Sequence, residues 1–195
     1  MRTEPEGLLL LGGRSTRFGS NKMRVSLEGD ALYHAAYRAL AALCKRVHLS
    51  VADADSRLPS PPDVAGCSWD AIPDPVTGQG PLGGILAASC ERDLLVLAGD
   101  LPAVRYDDLR RILASSESSD AGLVLARART SGRGQPLCGL WRASLRPELQ
   151  AYVDGGGRSV FGFLDRATVQ WVDVDDAHLV NINRPEDLDL LTGMS

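Results

Sequence analysis

The residues of this chain that could do chemistry begin with a glycine-rich loop near the amino terminus. The loop reads Leu10-Leu-Gly-Gly-Arg-Ser-Thr-Arg-Phe-Gly-Ser-Asn-Lys22 and follows a short run of leucines. Gly12 and Gly13 have no Cβ, so the backbone can pass close to a ligand and present its amides to an anion. Arg17 and Lys22 could then neutralise phosphate oxygens. The loop predicts a site for a phosphorylated ligand, with a solvated glycine turn as the alternative.

The spacing within this loop excludes the Walker type of phosphate-binding loop. In that motif a lysine directly follows the last glycine. Here Gly19 is followed by Ser20 and Asn21 before Lys22. The expected phosphate site therefore belongs to another class of nucleotide-binding protein.

A second glycine-rich segment, Gly78–Gly83, has the spacing of a dinucleotide-binding fingerprint. Two features disfavour a nicotinamide site. Pro81 has no N–H to donate, and the segment follows the third predicted strand instead of the first. A dehydrogenase is therefore the less favoured alternative, and saturable nicotinamide binding would support it.

Two aspartates follow predicted strands. Asp74 stands in Ile-Pro-Asp-Pro and Asp100 in Gly-Asp-Leu-Pro, each shortly after an apolar run. If these strands run parallel to the first, both carboxylates emerge at the same sheet edge as the glycine loop. A carboxylate is a hard ligand that suits Mg²⁺, and Asp100 is the better candidate. A turn or a helix cap is the alternative for either residue.

The elements that must position these residues alternate along the chain. Short apolar runs predict strands at Leu8–Leu11, Val47–Ala52, Trp69–Ile72, Leu94–Ala98, Gly122–Ala126, Pro136–Trp141 and Thr168–Val174. Apolar residues at helical spacing predict helices at Ala31–Leu43, Leu82–Cys90, Tyr106–Ala114, Arg146–Val153 and Pro185–Leu191. Surface loops are expected at Ser56–Pro62 and Ser115–Ser119. This alternation predicts an α/β fold in three layers, with a doubly wound, mostly parallel sheet between helices.

Composition narrows the class of protein. The 195 residues fit a single domain, 1–195, with an ordinary hydrophobic share of 44%. A net charge of −4 argues against a nucleic-acid-binding domain, which needs a basic face. The leucine run is too short for a signal sequence or a membrane span, so a cytoplasmic protein is expected. The cysteines are far apart, which indicates reduced thiols and neither a zinc site nor a disulfide framework.

The glycine loop resembles the L-A-G-G-x-S-x-R-M-G-x-x-K loop of the molybdenum cofactor guanylyltransferases. Leu11, Phe18 and Asn21 replace the Ala, Met and Asp of that pattern, and no glycine or cation is lost. Gly-Asp-Leu-Pro102 and Val180-Asn-Ile-Asn183 also match the family. The resemblance covers essentially the whole chain in the right order.

The resemblance implies a Rossmann-like nucleotidyltransferase that transfers GMP from GTP to the phosphate of molybdopterin and releases pyrophosphate. Its catalytic residues would be Arg17, Lys22 and Asp100, with Asp100 as the ligand of Mg²⁺. A G-P-L-x-G segment of the family closes one side of the nucleotide pocket, and Gly80–Gly84 match it. The residues implied to bind nucleotide are Leu10, Leu11, Gly12, Gly13, Lys22, Asp74, Gly80, Pro81 and Asp100.

The carboxyl-terminal half carries the implied acceptor site. Gln135 lies in a segment that resembles Q-P-L-x-A-L-Y, and Arg158 lies in one that resembles G-x-R-x-V and opens a helix. Asn181 and Asn183 should point to the same side of an extended chain, because side chains alternate there. Arg184 replaces the threonine of the family's V-N-x-N-T-P-E-D-L and removes a good helix cap. Local structural roles are the alternatives for all four acceptor residues.

Single sequence features distinguish the alternative functions from guanylyl transfer. A cytidylyl-transferring relative has the loop L-A-A-G, so Gly12 favours guanine over cytosine. Another small phosphate acceptor is a further alternative, and a non-catalytic nucleotide sensor would need neither Asp100 nor the Val180–Asn183 segment. The expected partners are GTP and molybdopterin, with proteins of molybdenum insertion or molybdoenzyme maturation as further candidates. Neither nucleic acid nor a membrane is an expected partner.

Overall fold

The computed structural model describes residues 4–12, 26–27, 30–52, 58–73, 79–88 and 91–189. Four of the predicted nucleotide-binding or catalytic residues lie outside these ranges: Gly13, Arg17, Lys22 and Asp74. Their roles remain predictions from the sequence.

The strands in the described ranges are β1 (Glu6–Leu10), β2 (Ser26–Leu27), β3 (Asp30–Ala31), β4 (Arg46–Val51), β5 (Ser68–Pro73), β6 (Leu94–Ala98), β7 (Leu123–Ala128), β8 (Gly134–Trp141) and β9 (Val169–Val174). The helices there are α1 (His34–Ala41), α2 (Pro81–Ala88), α3 (Tyr106–Glu117), α4 (Arg146–Asp154) and α5 (Val160–Leu164). Short 3₁₀ helices cover Ala143–Leu145, Asp176–Leu179 and Pro185–Leu188. Within the same ranges, no helix has the length and apolar character needed to cross a membrane.

A seven-stranded sheet forms the centre of the fold, in the order β5-β4-β1-β6-β8-β7-β9. All neighbouring strands are parallel except β8, which runs antiparallel to β6 and β7. The short turn between β7 and β8 explains this exception, because a parallel pair would need a long crossover. The carboxyl ends of β1, β4, β5, β6, β7 and β9 therefore meet the amino end of β8 at one edge, here called the carboxyl edge.

Both faces of the sheet are buried. Leu9 belongs to an apolar cluster with α1 and α3, whereas Leu8 and Leu10 belong to a second cluster with α2, α4 and α5. Leu8 and Leu9 are completely inaccessible to solvent. An uninterrupted apolar strand is typical of a sheet that helices cover on both faces. The predicted three-layer α/β fold is confirmed.

Several predicted boundaries differ from the structure. Helix α1 begins at His34 because Ala31 pairs with Ser26 in the β2–β3 hairpin. Helix α3 continues through part of the predicted Ser115–Ser119 loop, where the buried Ser116 hydroxyl donates to the Leu113 carbonyl. A serine that bonds within its own helix no longer needs solvent, which lets the helix extend.

Candidate active site

Three predicted site residues from distant parts of the chain meet at the carboxyl edge. Asp100 lies two residues after the end of β6, Gln135 lies at the start of β8, and Asn181 lies in the segment after β9. The Asn181 Nδ2 donates to the Asp100 Oδ1 at 3.1 Å. The Gln135 Nε2 donates to the Asn181 Oδ1 at 2.9 Å. We call this arrangement the amide relay: Gln135, then Asn181, then Asp100.

Backbone contacts explain why Asn181 reaches Asp100. The Ile182 amide donates to the Asp100 carbonyl at 2.9 Å, and the Ile182 side chain is completely buried. A buried apolar side chain between two asparagines fixes this segment against the sheet. The Asn183 amide donates to Asp187 Oδ2 at 2.7 Å, which holds the far end of the segment.

The amide relay has a fixed polarity. Gln135 uses its amide nitrogen on Asn181, so the Asn181 oxygen accepts and its nitrogen is directed at the Asp100 carboxylate. A hydrogen bond to a charged acceptor is stronger than one between neutral groups and fixes the orientation of the carboxylate. The relay therefore fixes the orientation of the Asp100 carboxylate at the carboxyl edge.

A cavity of about 240 Å³ lies beside the relay. Its walls come from the β7–β8 turn and from the segment after β9. Polar side chains in these walls are Ser131, Arg133, Gln135, Asp176, Asn181 and Asn183. Because Asn181 belongs to both the cavity wall and the relay, a ligand in the cavity would lie one side chain away from Asp100.

Asp176 joins the two walls of this cavity. Its Oδ1 accepts from the Thr130 amide at 2.8 Å, and its Oδ2 accepts from the Ser131 amide at 3.0 Å. The Thr130 amide is the main cause that lowers the pKa of Asp176 below the ordinary value of 3.8. The ionised carboxylate therefore attaches the β7–β8 turn to the segment that carries Asn181.

Asp176→Asn should make the protein less stable in a way that depends on pH. A carboxyl group whose pKa is lower in the folded protein than in the unfolded chain stabilises the fold at any pH above its unfolded-state pKa. This contribution is lost as the pH falls through the folded-state pKa. The melting temperatures of wild type and variant should therefore differ most near neutral pH and converge below about pH 4. Thermal unfolding between pH 3 and 7 measures this. Asp165→Asn changes an exposed carboxylate and serves as the control. The prediction would be contradicted if the difference in melting temperature were the same at every pH, or if Asp165→Asn gave the same pH-dependent difference.

The end of β1 is fixed where the glycine loop begins. The Gly99 amide donates to the Leu10 carbonyl at 3.0 Å, and the Leu11 amide donates to the Ser50 carbonyl at 2.9 Å. Leu10 and Leu11 are 6% and 4% exposed, so only their backbone could meet a nucleotide. Gly12 follows at a partly exposed position. Backbone hydrogen bonds thus hold the described start of the loop in place at the carboxyl edge.

The second glycine-rich segment starts α2. Gly80 has a φ of 61°, a left-handed conformation that favours glycine, and its carbonyl accepts from the Gly83 amide at 3.1 Å. Pro81 occupies the first helical position, where the absence of an N–H costs nothing. A Cβ on Gly84 would overlap the Ser50 hydroxyl, so this glycine brings α2 close to the sheet. The motif therefore has a clear local role in starting and packing a helix.

Residues 7–169 match the model of the MobA-like NTP transferase domain. The chain belongs to this family. The molybdenum cofactor guanylyltransferase of Bradyrhizobium sp. (strain ORS 278) is 34% identical over 201 residues, which covers 95% of this chain and 91% of that protein. The predicted resemblance and the nucleotidyltransferase class are confirmed.

Solved structures share the fold of this MobA-like NTP transferase. Molybdopterin-guanine dinucleotide biosynthesis protein A from Archaeoglobus fulgidus superposes with a TM-score of 0.75 at 22% identity, covering 97% of each chain. The Rv0371C protein of Mycobacterium tuberculosis, crystallised in complex with manganese, gives a TM-score of 0.70 at 18% identity over 99% of this chain and 100% of that one. Both support the fold assignment.

Arg158 has a different position from the other predicted acceptor residues of this MobA-like NTP transferase. Its Nη1 donates to the Val153 carbonyl at 2.8 Å and to the Gly157 carbonyl at 2.7 Å, just after α4. It thus satisfies carbonyls at a helix end. Among the described residues, Gln135, Asn181 and Asn183 line the cavity, and Arg158 does not.

No group of three or more histidine, cysteine, aspartate or glutamate side chains in the described ranges could hold a metal ion. The cysteines Cys44, Cys67 and Cys138 are free thiols, and burial raises the pKa of Cys44 to about 12. A thiol with that pKa is protonated at neutral pH and is a poor nucleophile.

Sequence reasoning missed the two charged residues of the cavity lining, Arg133 and Asp176. Arg133 is two positions before Gln135, so the alternation of side chains along a strand would have placed both on one side. Asp176 had no such signal, because its role depends on amide groups 46 and 45 residues away in the sequence.

Proposed function

We propose that this MobA-like NTP transferase is a molybdenum cofactor guanylyltransferase, which transfers GMP from GTP to the phosphate of molybdopterin. The observation that carries the proposal is the amide relay, which connects a carboxylate at the carboxyl edge with a polar cavity beside it. Transfer between two substrates needs two adjoining sites. The side chain of Asn181 would lie between a ligand at Asp100 and a ligand in the cavity. The name of the Bradyrhizobium relative supports the choice of substrates.

The chemistry requires positioning more than covalent participation by the protein. An oxygen of the molybdopterin phosphate attacks the α-phosphorus of GTP and forms a new phosphorus–oxygen bond. The bond from the α-phosphorus to the oxygen that bridges to the β-phosphorus breaks, and pyrophosphate leaves with that electron pair. Holding both phosphates in line and neutralising the charge that develops on the leaving group supply the acceleration.

The proposed roles on the nucleotide side follow from the glycine loop. The backbone at Gly12 and Gly13 would hold phosphate oxygens, and Arg17 and Lys22 would neutralise the departing pyrophosphate. Asp74 would contact the guanosine part. Gly80 and Pro81 would border the nucleotide at the start of α2, which directly follows the segment that contains Asp74.

A magnesium ion is proposed at Asp100. The residues fit it, since Asp100 offers a hard carboxylate oxygen, the relay orients that carboxylate, and Mg²⁺ commonly binds one or two protein carboxylates together with substrate phosphates. When bound, the ion would neutralise phosphate charge and favour departure of pyrophosphate. The manganese in the Mycobacterium tuberculosis structure supports a divalent-ion site in a protein of this fold.

The acceptor would occupy the cavity. The amides of Asn181 and Asn183 offer both donors and acceptors, as the polar edge of a pterin requires. Gln135 would act mainly through Asn181, because its amide nitrogen already donates to Asn181. Arg158 does not line the cavity, so its predicted contact with the acceptor would require an acceptor that extends beyond the cavity.

The choice of base is tested by product analysis. The protein is incubated with Mg²⁺, molybdopterin and either GTP, CTP or ATP, and products are identified by mass. We expect the guanine dinucleotide, with kcat/KM for GTP at least about tenfold above that for CTP, the scale of discrimination that a small steric difference provides. Preferential cytosine product would keep the reaction and overturn the interpretation of Gly12. Absence of product with every triphosphate would contradict the proposed function.

A further inference from the structure

The β7–β8 turn presents an arginine to the cavity. Arg133 lies in the cavity wall, two residues before Gln135, on a turn closed by two backbone hydrogen bonds. The Ala128 amide donates to the Arg133 carbonyl at 2.9 Å, and the Gly132 amide donates to the Ala128 carbonyl at 2.9 Å. Gly132 adopts a φ of 70°, which a glycine can adopt without strain. The backbone that carries Arg133 is thus tightly constrained.

Asp176 constrains the same turn from the opposite wall. Its two carboxylate oxygens accept from the amides of Thr130 and Ser131. Arg133 is therefore held at a defined position relative to Asn181 and Asn183, although its own side chain is exposed. Only the side-chain rotamers of Arg133 need to be ordered when a ligand binds, which limits the entropic cost.

The charges in the cavity wall favour an anion at Arg133. Within the described lining, Arg133 is the only basic side chain and Asp176 the only acidic one. Both oxygens of Asp176 already accept amide hydrogen bonds, so its charge is partly offset. The remaining polar groups are the hydroxyl of Ser131 and neutral amides. A guanidinium beside neutral donors suits a phosphate group, which it can contact through two parallel N–H groups.

We propose that Arg133 binds the phosphate monoester of the acceptor and thereby selects the phosphorylated acceptor over its dephosphorylated form. This inference rests on the proposed function for the identity of the acceptor. A guanidinium that binds two of the three terminal phosphate oxygens leaves the third for attack on the α-phosphorus. Asn181 lines the same cavity and donates to Asp100, so the phosphate would be held on the side of the cavity that adjoins the proposed metal site.

Equilibrium binding of two probes tests this role without turnover. Molybdopterin and its dephosphorylated form are titrated anaerobically, in the absence of GTP, against wild type, Arg133→Gln and Arg129→Gln. Wild type should bind the phosphorylated probe about 10- to 100-fold more tightly, the usual worth of a charge-assisted pair. Arg133→Gln should lose that preference and bind the dephosphorylated probe as wild type does. Arg129 is exposed on the same turn outside the cavity wall, so its variant should behave as wild type.

The outcomes separate binding by Arg133 from a structural role and from the proposed function. Equal weakening of both probes in Arg133→Gln would show a structural role and overturn the inference, as would retention of the full preference for phosphate. Failure of wild type to bind either probe would also overturn it. Guanylyl transfer by wild type is assayed in parallel. Absence of transfer would reject the proposed function, while the titrations would still decide the role of Arg133.

Discussion

Replacement of Asp100 by alanine should reduce guanylyl transfer by about 10³-fold or more while the fold is retained. The side chain is the described carboxylate at the carboxyl edge that the amide relay orients, and we assign it to the metal that neutralises phosphate charge. Loss of a group that stabilises developing charge in a transition state typically costs 10²- to 10³-fold, and loss of a metal ligand adds to this. The measurement is kcat with saturating GTP and molybdopterin, together with a thermal unfolding curve.

Two variants make this result specific. Asp107→Ala removes an exposed carboxylate on α3, away from the relay, and should leave kcat unchanged. Asp100→Asn keeps an oxygen that can accept from Asn181 but loses the charge, so it should be nearly as inactive as Asp100→Ala. Near-normal turnover of Asp100→Ala would refute the metal assignment.

Asn181→Leu should lower kcat/KM by about 10²-fold. Leucine has a similar shape but neither donates to Asp100 nor accepts from Gln135, so both hydrogen bonds of the relay are lost. Residues that orient a metal ligand typically contribute 10- to 100-fold to metal affinity or activity, and Asn181 would also lose its contact with the acceptor. Activity is measured as a function of Mg²⁺ concentration, and the half-saturating concentration should rise.

Asn183→Leu is the matched control for this prediction. Asn183 lines the same cavity but does not belong to the relay, so its replacement should raise the KM for the acceptor without changing the Mg²⁺ requirement. Gln135→Met should lower kcat/KM by about tenfold, an intermediate effect, because it removes the amide that donates to Asn181. If Asn181→Leu changed only the acceptor KM, the relay would have no role at the metal.

Much of the fold follows from local sequence patterns. The run Leu8–Leu11 alternates between two buried clusters, which is why an apolar segment without polar residues predicts a central strand. Local patterns do not predict the strand order or the reversed direction of β8, because both depend on which distant segments pair. The short turn before β8 accounts for its direction, because a parallel pair needs a long crossover.

Individual residues of the candidate site could be predicted from the sequence, but the hydrogen bonds between them could not. Asp100 and Asn181 were assigned from the sequence to separate substrates, yet they share a hydrogen bond across 81 residues of chain. Gln135 was expected to face the acceptor; it lines the cavity, and its nitrogen also donates to Asn181. Such contacts are long-range, so neither spacing nor residue type reveals them. Arg133 was missed because an arginine in a glycine-rich turn resembles a solvated surface residue.

Glycine motifs illustrate how one pattern can serve different structures. Gly78–Gly83 has the spacing of a dinucleotide fingerprint, but in the described part of this segment Gly80 and Pro81 start a helix. Gly84 then allows that helix to approach Ser50 on the sheet. The spacing alone did not distinguish these roles, whereas the absence of an N–H on Pro81 did disfavour a dinucleotide site.

The fate of the individual phosphates of GTP tests the central claim most directly. Wild-type protein is incubated with molybdopterin, Mg²⁺ and GTP that carries a radioactive label at either the α- or the γ-phosphate. Attack on the α-phosphorus predicts that the α label appears in the molybdopterin-containing product and the γ label in pyrophosphate. Transfer of the γ label to molybdopterin, or release of that label only as inorganic phosphate, would contradict nucleotidyl transfer at this site.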